Sequence, residues 1–101
     1  GLGLNLCKVV GTVVSTKKDE KLVGTKLQVV ESVNIETLEL EGKVLVAVDT
    51  VGAGEGELVL IATGSSARQT PITRDTPVDT AIVAIVDSIQ LKGEMKYSSS
   101  R

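Results

Sequence analysis

Four aspartates, Asp49, Asp75, Asp79 and Asp87, are the side chains best suited to moving a proton, because a carboxylate serves as general acid or base once its surroundings tune it. Asp79, beside Pro77 and Val78, reads as a helix cap, and Asp87 reads as solvent-facing. Asp49 stands apart because it closes an alternating stretch on the same face as Leu45 and Ala47. A carboxylate there needs a partner, since burying it unpaired is costly. Arg68, one of three arginines, is the expected partner, within one chain or across a subunit boundary. Asp49, Glu55 and Glu57 together would be the carboxylates of a small metal-dependent enzyme. Against that reading stands the absence of His, which removes the usual neutral-pH base and the commonest transition-metal ligand. The single Cys7 permits no internal disulfide and no thiolate cage. No catalytic residue, cofactor or metal is expected.

Two motif-like runs weaken on inspection. Gly52, Gly54 and Gly56 form G-x-G-x-G, but a dinucleotide site needs a helix after the glycines, and here the strand-like LVLIAT follows. A tight strand-to-strand turn is the better reading. Ser15-Thr16-Lys17-Lys18 has S-x-x-K spacing, yet it runs from a strand end into the charged turn 17–21 and lacks the companion motifs of serine acylases.

The elements that carry these residues are strands. The chain has 101 residues, of which 16 Val, 6 Ile and 10 Thr are β-branched, while Phe and Trp are absent and Tyr97 is the one aromatic. Such side chains are stiff at χ1 and pack well on a pleated surface. The expected strands are 4–16, with Gly11 as a bulge or bend, 22–30 with an interior Gly24, KVLVAVDT over 43–50, LVLIAT over 58–63, and AIVAIVDSI over 81–89. LVLIAT is apolar on both faces, so both should be covered. Residues 32–41 read either as a half-buried strand or as a helical turn. Residues 1–91 are expected to form one barrel domain, and the polar tail 92–101 to fray.

This pattern predicts an all-β fold: a small five-stranded OB-like β-barrel, closed or nearly so, with one or two short helical turns. Open sheets would leave Val-rich edges bare. The net charge of −2 and the lack of any basic run beyond Lys17-Lys18 argue against nucleic acid or an anionic membrane as partner. An OB-like binding module for nucleic acid or a small ligand is the competing function, but base stacking needs aromatics that the chain lacks. No apolar run approaches the ~18 residues of a membrane span, and no secretion signal is visible. The expectation is a soluble cytoplasmic domain that gains from burial against other subunits.

The segment DTVGAGEGE (49–57), then LVLIA, then Thr63-Gly64-Ser65-Ser66-Ala67-Arg68 closely resembles the bacterial microcompartment vertex proteins of the EutN/CcmL family. The opening LCKVVGTVVSTKKDEKLVGTKLQVV and the closing PVDTAIVAIVD (77–87) are similar to that family as well, so the likeness runs from about Cys7 to Ile89. It implies an OB-like barrel that assembles as a homopentamer and plugs the five-fold corners of a protein shell built with hexameric shell proteins. The role would be structural, without a reaction. Gly64, Ser65, Ser66, Ala67 and Arg68 match the family's signature turn, expected with Asp49 near the five-fold axis or subunit contact. Gly52, Gly54 and Gly56 match its glycine-rich loop.

Overall fold

The computed structural model describes residues 3–15, 24–64 and 80–99. Its strands are β1 (Gly3–Val13), β2 (Lys26–Val33), β3 (Leu40–Asp49), β4 (Leu58–Thr63), β5 (Thr80–Ile85), β6 (Ser88–Leu91) and β7 (Glu94–Ser98). The first five close into a barrel in the order β1-β2-β3-β5-β4, with β4 returning to β1. Every neighbouring pair is antiparallel except β3 and β5, which run parallel through Val48↔Ala81 and Asp49↔Ile82. Closure removes the edges that a Val-rich open sheet would expose.

Alternation along each strand sorts side chains to the two faces. Inward rows include Val9–Val30–Leu45, Thr12–Gln28–Ala47 and Ile61↔Ile82. Cys7, Val9, Val30, Ala47, Ala53, Val59, Ile61 and Ile82 are buried together as the core. With no large aromatic, it is filled by many small aliphatic groups. The outward rows are also apolar: Gly11–Val29–Val46 crosses β1, β2 and β3, and Val13–Leu27–Val48 lies one pleat along. LVLIAT is covered on both faces as expected, with Leu58, Val59, Ile61 and Ala62 buried and Leu60 half-buried.

The bulge expected at Gly11 is present, between Val9 and Gly11 on β1. A bulge bends and twists its strand, as a barrel of few strands requires. Three readings of the sequence are corrected and an ambiguous one is resolved. Gly24 is not inside a strand: with φ +87° it takes a left-handed turn conformation before β2 begins at Lys26. The ambiguous 32–41 region divides, with Ser32 and Val33 ending β2, a capped turn over 34–39, and Leu40 opening β3. There the Asn34 Oδ1 accepts from the backbone N–H of Glu36 (2.8 Å) and Thr37 (3.0 Å). The run 81–89 is two strands, broken at Val86 and Asp87, where Val86 N–H donates to Leu58 O (2.9 Å). The polar stretch after Leu91 does not simply fray. Lys92 (φ 55°) and Gly93 (φ 82°) make a two-residue hairpin turn that pairs Leu91 with Glu94, and β7 runs on to Ser98. The β6–β7 ribbon is a separate two-stranded sheet. Among the described residues no helix forms an element, and a single helical turn is closed at 34–38, where Leu38 N–H donates to Asn34 O (2.7 Å).

Candidate functional site

The glycine-rich stretch after β3 is where the sequence concentrated its candidates, and the structure gives it a built-in anchor. Asp49, the last residue of β3, turns its carboxylate onto its own loop. Oδ1 accepts from the N–H of Val51 (2.9 Å) and Gly52 (2.8 Å), and Oδ2 from the N–H of Ala53 (2.8 Å). Three successive backbone donors around one carboxylate form an Asx-type cap, the device by which Asp nucleates a turn. Gln28 on β2 supplies a fourth donor, its Nε2 lying 3.2 Å from Oδ2. The same Nε2 donates to Ala53 O (2.7 Å), and Gln28 Oε1 accepts from Thr12 Oγ1 (2.9 Å). Gln28 is 1% exposed, so its amide is a buried polar group satisfied on both ends. A carboxylate has about four lone-pair positions, and those of Asp49 are filled from within the chain.

The loop then closes under the barrel. Ala53 is buried in the core cluster. Glu57 accepts through its Oε1 from Gly54 N–H (2.6 Å), and its own N–H donates to Gly54 O (3.1 Å). Gly56 N–H donates to Val9 O (2.8 Å), and Val9 N–H to Glu57 O (3.0 Å), stitching the loop to β1 beside the bulge. Thr50 Oγ1 donates to Ile82 O (2.6 Å) on β5. Gly52 (φ +76°) and Gly56 (φ +89°) take left-handed conformations in which a Cβ is strained. The glycines therefore shape a plug rather than a phosphate cradle, because β4 and not a helix follows them.

Of the other expected site residues, Gly64 follows the last residue of β4. Ser65, Ser66, Ala67 and Arg68 lie outside the described residues, as do Asp75 and Asp79. Glu55 and Glu57 do not converge with Asp49 on a common point: Asp49 and Glu57 each hold backbone donors of the loop, and Glu55 is exposed. Among the described residues no group of three or more His, Cys, Asp or Glu could hold a metal ion, and no helix is long and apolar enough to cross a membrane. Cys7 is fully buried. Burial pushes its thiol above the ordinary value, outweighing the opposing pull of the Ser32 hydrogen bond and of Lys43. Such a thiol is not a nucleophile. Sequence reasoning missed Gln28, although the signal was there: one amide inside the run Leu27 to Val30.

The described residues form a barrel closed by β1–β4 pairing, with a glycine-rich loop plugged into its core after β3. Known proteins share this architecture. The family described as "Ethanolamine utilisation protein EutN/carboxysome" matches residues 4–87. The chain belongs to this family. It is 52% identical over 85 residues to the bacterial microcompartment shell vertex protein GrpN of Rhodospirillum rubrum, covering 84% of this chain and 94% of that one. The carboxysome shell vertex protein CcmL of Nostoc is 44% identical over 95 residues, 94% of either chain. Among solved structures, Nostoc CcmL superposes with a TM-score of 0.88 at 47% identity, covering 94% of this chain and 99% of that one. GrpN, described as a pentameric microcompartment shell protein, gives 0.78 at 49% identity over 86% of this chain and 98% of its own. The EutN/CcmL resemblance read from GAGEGE and GSSAR is thus confirmed over nearly the whole chain.

Proposed function

We propose that this family member is a structural shell protein, not an enzyme, and that five copies form a ring capping the five-fold vertices of a bacterial microcompartment in the cytoplasm. The supporting observation is the likeness to GrpN, a pentameric microcompartment shell protein. Physical chemistry points the same way, since Val44 and Val46 on β3 stand 53% exposed on the single chain. A closed ring uses two different patches on each copy and can cover such a surface. Hexameric shell proteins are the expected neighbours of the assembled ring.

Within the ring we assign one subunit contact to the segment Gly64, Ser65, Ser66, Ala67 and Arg68. Small residues there allow close backbone approach near an axis. Asp49 contributes from one step back, by holding the loop 51–56 in shape. Native mass spectrometry across a dilution series tests the reading. A stable species of five times the 10.5 kDa chain mass is expected. A monomer at micromolar concentration refutes it.

A further inference from the structure

The β6–β7 hairpin is joined to the barrel by chain and little else. It pairs with no barrel strand. An isolated two-stranded ribbon is at best marginally stable in water. One of its faces, with Ile89 opposite Tyr97, is half-buried; the other, with Gln90 opposite Met95, leaves Met95 56% exposed. Its tip carries Lys92, and Lys96 on β7 lies 3.5 Å from Glu94, so the ribbon from Ser88 to Ser99 has more basic than acidic side chains.

A surface of the opposite kind lies elsewhere on the same chain. Val44 and Val46 stand outward on β3 beside Val29 of β2, and Gly11 of β1, with no side chain, leaves the row shallow at that end. Exposed Glu39 and Leu40, with the half-buried Glu31 opposite Val44, lie at its other end. An apolar strip with an acidic margin complements a ribbon that presents a flexible thioether and a basic tip.

Taking the ring reading as its basis, we infer that the β6–β7 hairpin is an arm that lies across the Val44–Val46 strip of the next copy of this chain. Met95 rests between the valines, and Lys92 lies toward Glu31 and Glu39. One donor patch and one separate acceptor patch per chain make the contact head-to-tail, the kind that closes into a ring.

The test is a disulfide trap in the full chain, with Met95→Cys and Val46→Cys combined; Cys7 is buried and stays in place. Mild oxidation is expected to give a ladder of linked chains up to five, absent in either single variant. A wild-type ring of five whose double variant forms no link between chains overturns the arm and leaves the ring reading standing. A wild-type chain that remains monomeric overturns both. As a second readout, a Val46→Cys thiol should react with maleimide at least tenfold more slowly in the ring than in the dissociated chain. A thiol that stays open in the ring and closes only when a sheet-forming shell protein is added assigns the strip to that protein and overturns the proposal.

Discussion

Replacing Asp49 with Ala removes one carboxylate that accepts four hydrogen bonds, and the four are not equal. Val51 and Gly52 are exposed, so water takes over their N–H groups at little net cost. Ala53 and Gln28 are each 1% exposed, and their donors lose a charged acceptor where water has poor access. Gln28 Nε2 keeps Ala53 O at 2.7 Å, which softens its loss; the Ala53 N–H keeps nothing. At roughly 1.5–3 kcal/mol for a hydrogen bond to a charged group, the substitution should cost about 3 kcal/mol. That is a large share of the roughly 5–15 kcal/mol that holds a domain of this size together. At about 4–8 °C per kcal/mol, Tm should fall by roughly 12–24 °C. Asp49→Asn should cost less, because its amide oxygen can face the buried Ala53 and Gln28 donors and leave the NH2 toward the exposed Val51 and Gly52. Urea unfolding at a fixed protomer concentration is the assay, since association shifts apparent stability. A change within about 0.5 kcal/mol for Asp49→Ala, the scatter of ordinary surface substitutions, would show that the loop does not depend on this cap.

Other outcomes follow from the same structure. Gly52→Ala and Gly56→Ala should each lower stability by about 1–2 kcal/mol, because both positions need positive φ; thermal melts would read this, and an unchanged Tm would contradict it. Cys7 should resist iodoacetamide in the folded chain at pH 8 and react on unfolding. Because burial raises its folded pKa, its contribution to stability is intact below the pKa of the unfolded thiol and is lost as pH rises from there through the raised value. Unfolding curves on the alkaline side, compared with Cys7→Ser, would show the difference. Arg68→Ala should weaken the ring, and native mass on dilution would read it; a variant that stays fully associated removes the role given to Arg68.

The barrel was legible because period-two alternation and β-branching act locally: KVLVAVDT places Leu45 and Ala47 inward and Val44 and Val46 outward, as its spacing required. The bulge at Gly11 was legible for a related reason, since glycine marks where a strand must bend. What sequence could not show was which neutral groups would answer a carboxylate. Asp49 called for a donor, and Arg68 was the reasonable charge. Arg68 lies outside the described residues; within them, three donors come from the backbone two to four residues on and one from an amide on the neighbouring strand. Neutral donors leave no charge pattern to read. The hairpin was obscured because Val86-Asp87 interrupts an apolar run without a Gly or Pro, and because Lys92 takes a positive φ usually left to Asn, Asp or Gly.

Barrel closure has a kinetic consequence. β5 is the last barrel strand in sequence, and it lies between β3 and β4. Until it inserts, those two strands face each other across a gap with unpaired backbone groups. The missing piece, Ala81-Ile82-Val83-Ala84-Ile85-Val86, is six apolar residues without a charge, a proline or a glycine, the composition of an amyloid-forming segment. A growing chain therefore carries this apolar stretch as the last of its five barrel strands, and the step that completes the barrel is the one that hides it.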